Sequence, residues 1–196
     1  MKTNYNSLME EIIKSLDYKP KLLLHACCGI CSSSVLERLS KDFNITVLFF
    51  NPNIYPVEEY KKRYDTLKKL INLKHNDIKL IDIGYKPEMF DEISKGLEDE
   101  REGGKRCTKC YYLRLEESAK YASENDFEFF CTTLSVSPHK DSERLNNIGK
   151  TLESKYRVKY LYSDFKKKNG FKRSNELSRE LDLYRQKYCG CKYSIW

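Results

Sequence analysis

The chain has 196 residues, a formal net charge of +7 and eight cysteines. This length allows one buried core, and it exceeds that of the small scaffolds that so many cysteines usually staple with disulfides. Residues 1–14 lack the apolar segment of a signal peptide, and no apolar run approaches the length of a membrane span, so we expect a cytoplasmic protein with no membrane partner. In that reducing compartment, closely spaced cysteines usually bind metal or carry out redox chemistry.

The predicted secondary structure alternates short strands with helices along most of the chain. Strands are expected where β-branched, leucine and aromatic residues form short runs. These runs lie at residues 21–26, 44–50, 78–83, 127–133 and 158–162. Helical patterns cover residues 32–40, 57–73, 87–95, 107–124, 140–156 and 171–188. Ser32, Ser33 and Ser34 have the side chains of N-cap residues, and we expect them to begin the first of these helices.

This alternation predicts an α/β fold, with a parallel sheet, helices on both faces and a C-terminal helical segment. No repeat or low-complexity linker divides the sequence, so we expect a single enzyme domain over residues 1–196. Ligands of such sheets bind beyond the carboxyl ends of the strands. Cys27, Cys28 and Cys31 directly follow the first predicted strand, and Cys131 lies at the end of the fourth. The functional site is therefore expected at that edge of the sheet.

Two cysteine-rich segments have the spacing of metal ligands. Cys27, Cys28 and Cys31 form a dense thiol loop before a predicted helix, whose free N–H groups favour thiolates over thiols. Cys107 and Cys110 form a CxxC pair, a spacing that lets two sulfurs bind one metal or one cluster. Two cysteines from each segment supply the four ligands of a cubane iron–sulfur cluster. Structural zinc is the alternative, although the adjacency of Cys27 and Cys28 is awkward for a zinc knuckle.

The remaining cysteines suggest different roles. Cys189 and Cys191 are separated by one glycine, so they can form only a tight, strained disulfide that is easy to reduce. Such a pair suits a redox cycle, and the alternative is two further metal ligands. Cys131 lies in an apolar run and is expected to be a small buried hydrophobic residue.

Five motifs follow one another along the chain. They are His25-x-Cys27-Cys28, Asn51-Pro52-Asn53-Ile54 with Glu59, Tyr60 and Arg63, Arg106-Cys107-x-x-Cys110-Tyr111, Thr132-Thr133-Leu134 with Ser137-Pro138, and Tyr184-Arg185-Gln186-x-Tyr188-Cys189-Gly190-Cys191. Together, over residues 21–194, they resemble the QueH type of epoxyqueuosine reductase. The resemblance implies an oxidoreductase that completes queuosine synthesis by removing the epoxide oxygen of epoxyqueuosine at the wobble position of tRNA. It also implies a Rossmann-like fold related to the adenine-nucleotide hydrolases, but the chain lacks a phosphate-cradling glycine loop and nucleotide binding is not predicted.

The same resemblance implies a cofactor and a role for most of the cysteines. The ligands of a [4Fe–4S] cluster would be Cys27, Cys28, Cys107 and Cys110. Cys189 and Cys191 would form a redox-active disulfide. The position of Cys31 is sometimes an aspartate in this family, and both side chains can bind iron. Cys31 is therefore a candidate ligand of an additional mononuclear iron, the alternative being a thiol that merely lies near the site.

The implied reaction consumes two electrons and two protons and releases water. Because a cubane cluster passes one electron at a time, an external one-electron donor of the ferredoxin or flavodoxin type must act twice, unless a second redox centre stores one equivalent. The additional iron or the pair of Cys189 and Cys191 could be that store. Iron acting as a Lewis acid could assist cleavage of the epoxide bond. The protons could come from water, a thiol, Tyr188 or His25, and His25 could equally be a hydrogen-bonded residue at a strand end.

The positive charge favours a polyanionic partner such as RNA, although a lysine-rich background composition produces the same balance. Phosphate contacts and base stacking would position the anticodon loop. The candidates for these contacts are Arg63, Tyr111, Arg114 and Arg185, and each could instead be an ion-paired or core residue.

Two rival functions remain open on the sequence. A tRNA thiolation enzyme of related fold would need a glycine- and serine-rich phosphate loop after the first strand, where this chain has cysteines instead. A zinc-stabilised RNA-binding module would be colourless and would not need Cys189 and Cys191.

Overall fold

The computed structural model describes residues 3–195, and its centre is a sheet of five parallel strands. The strands are β1 (Lys21–Ala26), β2 (Asn44–Phe49), β3 (Lys79–Asp82), β4 (Phe129–Thr132) and β5 (Lys159–Tyr160). Their spatial order is β3-β2-β1-β4-β5. The predicted α/β fold class with a parallel Rossmann-like sheet is confirmed.

Within residues 3–195, seven α-helices connect and flank these strands. They are α1 (Tyr5–Lys14), α2 (Gly29–Leu39), α3 (Val57–Lys74), α4 (Pro87–Ser94), α5 (Lys105–Glu124), α6 (Ser142–Tyr156) and α7 (Gly170–Glu180). Short 3-10 turns cover Thr133–Val136 and Lys192–Ser194. None of the helices within residues 3–195 is both long and apolar enough to cross a lipid bilayer.

The position of the central strand β1 determines where the functional site is expected. All of its residues except Lys21 are buried, as expected for a parallel strand that has neighbours on both sides and helices over both faces. Leu24 pairs with Val47 of β2 on one side and with Cys131 of β4 on the other. The chain runs outward from β1 in both directions, so the strand order reverses between β1 and β4. In open α/β sheets this reversal leaves a crevice at the carboxyl ends of the two strands, where ligands bind.

The helix after β1 begins earlier than predicted. The expected N-caps at Ser32, Ser33 and Ser34 are wrong, because α2 begins at Gly29 with Cys28 at the N-cap position. The Ser32 hydroxyl instead donates to the carbonyl oxygen of Cys28, within the first helical turn. The thiol loop is therefore part of the helix N-terminus and does not merely precede it.

Two further differences lie near the ends of the chain. Helix α1 has no counterpart among the predicted elements, yet it places Met9 in the main hydrophobic core. The predicted helix over residues 171–188 is wrong in its second half, because α7 ends at Glu180 and Asp182 has a left-handed φ of 46°. The segment after Asp182 crosses the sheet edge as an irregular tail that carries Cys189 and Cys191.

Candidate functional site

The first part of the site is the thiol loop between β1 and α2. The Sγ atoms of Cys27, Cys28 and Cys31 all lie within 4.8 Å of one another. The strand end fixes Cys27, while the first turn of α2 brings Cys31 back beside the other two sulfurs. Because α2 begins at Gly29, the positive end of its dipole faces this group and stabilises negative charge on sulfur.

Three thiols this close share one negative charge when no cation is present. Hydrogen bonds from Cys28 and Cys31 lower the pKa of Cys27 well below its ordinary value. The interaction with Cys27 in turn raises the pKa of Cys28 to about 12 and raises that of Cys31. A thiophilic metal would remove this penalty and let all three sulfurs ionise. The donor set therefore fits a metal centre better than it fits isolated thiols.

Gly29 allows α2 to approach α3 closely at this loop. A Cβ on Gly29 would lie 2.9 Å from both the Cγ2 and the carbonyl oxygen of Thr66. We therefore expect Gly29→Ala to lower the free energy of unfolding by about 1–3 kcal/mol, as overpacking does, which denaturant unfolding would measure. Lys68→Ala on the exposed face of α3 is the control, with an expected change within about 0.5 kcal/mol. Equal stability of Gly29→Ala and the wild type would contradict the close approach.

The second part of the site is the start of α5. Cys107 and Cys110 lie three residues apart, on one face of the first two helical turns, and both are buried. The Gly103 N–H donates to Cys107 Sγ at 3.2 Å. Burial raises the pKa of Cys110 to about 11. Cys110 also packs in a small apolar cluster with Cys191, which joins this helix start to the C-terminal tail.

The buried guanidinium of Arg114 lies among all three cysteine segments. Its side chain is 2% exposed and donates to the Cys110 carbonyl oxygen and to Asn51 Oδ1. Burial alone would lower the pKa of Arg114, but the charges of Cys110, Cys27 and Cys189 around it outweigh burial and raise that pKa. Sulfurs from the thiol loop, α5 and the tail therefore all interact electrostatically with one buried positive charge.

The tail covers this site through a second buried arginine. Arg63 forms an ion pair with Glu59 at 2.7 Å and donates to the carbonyl oxygens of Tyr188 and Cys189 at 3.1 Å each. Gly190 has a φ of 115°, and a Cβ there would lie 2.9 Å from Arg63 Nη1, so this position requires glycine.

Two further side chains reach from the surroundings to individual sulfurs. Gln186 Nε2 donates to Cys28 Sγ at 3.0 Å, which joins the tail to the thiol loop. Lys140 Nζ lies 3.0 Å from Cys189 Sγ and 3.1 Å from Glu102 Oε1. Lys140 is itself buried, and burial tends to lower its pKa. The charges of Cys189 and Tyr111 outweigh the effect of burial and raise the pKa of Lys140, so this side chain remains an ammonium. The ammonium is therefore held within hydrogen-bond distance of the Cys189 sulfur.

The predicted site residues are thus distributed over two neighbouring groups. Cys27 and Cys28 lie together with Cys31, whereas Cys107 and Cys110 lie outside this group of three among residues 3–195. Cys191 contacts the group on α5. Cys131 is fully buried in the main core, as expected for a small hydrophobic residue.

His25 is held as a neutral residue. Its Nε2–H donates to the Phe50 carbonyl oxygen at 3.0 Å, and its Nδ1 accepts from the Thr132 hydroxyl at 2.9 Å. Burial, with the nearby Arg114 charge, lowers the pKa of His25 to about 4. These contacts favour the alternative interpretation of His25 as a hydrogen-bonded residue at a strand end, because its N–H is engaged by a carbonyl.

Most of the suggested anticodon contacts are internal residues. Arg63, Tyr111 and Arg114 are each 2% exposed, so they cannot meet phosphates or bases at the surface. Arg185 is exposed and lines the cavity beside the cysteines. Sequence reasoning also missed Lys140 and Glu102, which no motif or spacing connects to Cys189.

A cavity of about 390 Å³ opens at the crevice between β1 and β4. The wall of the cavity includes Cys27, Cys31 and Cys189. Helix α7 contributes Phe171 to this wall, and the tail contributes Arg185. A molecule in this cavity would reach the thiol loop and the first cysteine of the tail at once.

Comparison with known proteins gives one consistent result. A sequence model of the family described as epoxyqueuosine reductase QueH matches residues 22–196, a range that includes every cysteine of the chain. The epoxyqueuosine reductase QueH of Streptococcus pyogenes serotype M1 is 40% identical over 200 residues, covering 98% of this chain and 78% of that protein. The protein of the same name from Staphylococcus epidermidis is 39% identical over 202 residues (98% and 85%). That from Thermotoga maritima is 36% identical over 180 residues (89% and 90%).

Proposed function

This chain belongs to the QueH family of epoxyqueuosine reductases and is an oxidoreductase that reduces epoxyqueuosine to queuosine in tRNA, and we propose that it does so with an iron–sulfur cluster. The ligands of the proposed [4Fe–4S] cluster are Cys27, Cys28, Cys107 and Cys110. The observation that supports this set best is the buried Arg114 guanidinium, which donates to the Cys110 carbonyl oxygen and whose pKa is raised by the charges of Cys110 and Cys27, one proposed ligand from each segment. Family membership favours the reductase over a thiolation enzyme or a zinc-stabilised module.

The residues at the sheet edge fit an anionic, thiolate-bound cofactor. Soft thiolate donors select iron–sulfur clusters and zinc over hard cations. Arg63 and Arg114 supply two buried positive charges next to the sulfurs, which offset the charge of thiolates in a low-dielectric site. We further propose that Cys31, the third sulfur of the compact group, binds an additional iron. When bound, the cluster supplies electrons one at a time and the additional iron supplies a Lewis acid.

Cys189 and Cys191 form the second redox centre of this proposal. In the reduced form of the pair, both residues are thiols. Oxidation of two thiols to one disulfide releases two electrons and two protons, and conversion of an epoxide to an alkene and water consumes the same number. An external one-electron donor of the ferredoxin or flavodoxin class, acting twice, would then reduce the disulfide again.

Lys140 is expected to keep Cys189 reactive. A hydrogen bond to a charged group contributes about 1.5–3 kcal/mol, so Lys140→Met should slow alkylation of Cys189 at neutral pH by about tenfold or more. Iodoacetamide labelling of the reduced protein, followed by peptide mass spectrometry, measures this rate. Lys166→Met is the matched control, because Lys166 pairs with Asp164 and its loss should leave labelling unchanged. Equal labelling of Lys140→Met and wild type would show that the ammonium does not act on this sulfur.

The tRNA would present its modified base to the cavity at the crevice. Arg185 and Lys187 are exposed lining residues that can meet the phosphates of the anticodon loop. The proposal treats residues 1–196 as one enzyme domain, which is supported by a main hydrophobic core with members from β1, β2, β4 and five of the helices. A cytoplasmic location, where tRNA is modified, is part of the same proposal.

Turnover by the anaerobically purified protein tests this function. The enzyme, a chemical one-electron reductant and tRNA carrying epoxyqueuosine are combined, and the tRNA is digested to nucleosides for mass spectrometry. We expect the modified nucleoside to lose the mass of one oxygen atom. The same protein after chelation of its metal is the control and should be inactive. Full turnover by the chelated protein, or by protein that contains only zinc, would contradict the proposal.

A further inference from the structure

The cavity contains a buried amide without a partner. Asn53 lies in the turn before α3, is 1% exposed and lines the cavity together with Cys27 and Cys31. Neither its Nδ2 nor its Oδ1 has a hydrogen-bond partner among residues 3–195. Nearly all buried side-chain polar atoms in folded proteins are paired, because an unpaired one loses its hydration without compensation. Two such atoms on one residue, at the wall of a cavity, indicate a group that a ligand satisfies.

A neighbouring asparagine shows that the same turn can satisfy an amide. Asn51 is 0% exposed, donates from Nδ2 to the Ala26 carbonyl oxygen at 2.9 Å and accepts at Oδ1 from Arg114. Asn51 therefore ties the turn to the end of β1 and has a structural role. Asn53, two residues later, has the same side chain and the same burial but makes none of these contacts.

A second amide on the cavity wall also has a free atom. Gln186 in the tail uses Nε2 to donate to Cys28 Sγ, while its buried Oε1 has no partner. Asn53 and Gln186 together thus offer an NH₂ donor and two carbonyl acceptors to whatever enters the cavity. Both groups are uncharged, and the nearby Arg63 and Arg114 are already bound to protein oxygens.

An uncharged donor–acceptor pair suits an uncharged oxygenated ring and does not suit a phosphate. An ether or epoxide oxygen accepts a hydrogen bond, and a hydroxyl group both donates and accepts. We propose that Asn53, together with Gln186, binds the oxygenated ring of the modified base and thereby distinguishes modified from unmodified tRNA. This inference rests on the proposed function and assigns its substrate-recognition residues. The Asn53 amide donates to a ring oxygen, and the free carbonyl oxygens accept from ring hydroxyls.

The variant Asn53→Leu tests the inference, because leucine has a similar volume and no polar atoms. If Asn53 serves the substrate alone, the variant should melt at or above the wild-type temperature, since two unpaired polar atoms are removed from the interior. Its kcat/KM should fall by about ten- to hundredfold, while its metal content stays at the wild-type level. Asn51→Leu is the matched control and should melt at a clearly lower temperature.

Binding measurements separate this inference from the proposed function. Wild-type protein should bind tRNA carrying epoxyqueuosine more tightly than the same tRNA without the modification, and Asn53→Leu should lose this difference while keeping its affinity for unmodified tRNA. A variant that retains the difference, retains wild-type kcat/KM or melts as low as Asn51→Leu would overturn the role of Asn53. A wild-type protein that binds the modified tRNA selectively but never reduces it would overturn the proposed function and leave the binding comparison valid.

Discussion

Cys107→Ser is expected to abolish both the brown colour of the anaerobically purified protein and its turnover. Cys107 is buried in the first turn of α5 and accepts a hydrogen bond from the Gly103 N–H. A serine hydroxyl keeps this hydrogen bond but is a poor ligand for iron, because it does not ionise at neutral pH and lacks the softness of sulfur. Absorption spectra, iron and sulfide analysis and the tRNA reduction assay measure the effect.

Cys131→Ala provides the control for this substitution. Cys131 is more deeply buried than the proposed ligands, and it lies in the main core on β4 and away from the three cysteine segments. The control should therefore keep colour and turnover, with only a modest loss of stability from the missing sulfur. Retention of turnover by Cys107→Ser would refute the assignment of this cysteine as a ligand.

Cys191→Ser is expected to keep the colour and the metal content of the wild type but to lose most of its turnover. Cys191 packs beside Cys110, so serine leaves the proposed ligands in place while it removes one partner of the redox pair. We expect turnover to fall by about a hundredfold or more, the scale typical of losing a group that acts in the reaction itself. A single-turnover assay with pre-reduced enzyme and no external donor isolates this step.

The comparison variant for the redox pair is Ser194→Ala. Ser194 lies in the same short turn, is buried, and donates from its hydroxyl to the Cys191 carbonyl oxygen. Its loss perturbs the tail without removing a thiol, and single-turnover yield should stay near the wild-type value. If Cys191→Ser also reduced one equivalent of substrate at the wild-type rate, the pair would have no redox role.

The three inner strands β1, β2 and β4 could be predicted from the sequence because they are short, largely apolar runs whose residues are mostly buried. The run at residues 21–26 is uninterrupted, and the structure places it at the centre of the sheet with the same bounds. The strand order follows from neither composition nor periodicity, since it depends on how the crossover helices pack. Helix α1 escaped prediction because its apolar face is short and only Met9 contributes fully to the core.

The start of α2 shows how local preference yields to the tertiary structure. Ser32, Ser33 and Ser34 favour an N-cap position, but the helix begins at Gly29, where the absence of a side chain lets it approach Thr66. The Ser32 and Ser33 hydroxyls then donate to carbonyl oxygens of the preceding helical turn, whereas the Ser34 hydroxyl pairs with that of Ser174.

The cysteines of the site could be found from their spacing, but their surroundings could not. Lys140 is 49 residues from Cys189 in sequence, and Arg114 reaches three separate segments. Such contacts depend on the crossover between β4 and β5 and on the irregular tail after Asp182, neither of which has a local signature. The sequence suggests Arg63 and Arg114 as tRNA contacts because arginine side chains usually lie at the protein surface. In the structure both are buried, and their positive charges interact with cysteine sulfurs.

Whether the thiol loop and α5 bind one iron–sulfur cluster between them is tested most directly by iron and acid-labile sulfide analysis of the anaerobically purified wild-type protein. If Cys27, Cys28, Cys107 and Cys110 bind one cubane cluster, each chain should contain about four sulfides and about four irons, or about five irons if Cys31 binds another. A colourless protein that contains zinc without sulfide would contradict the cluster.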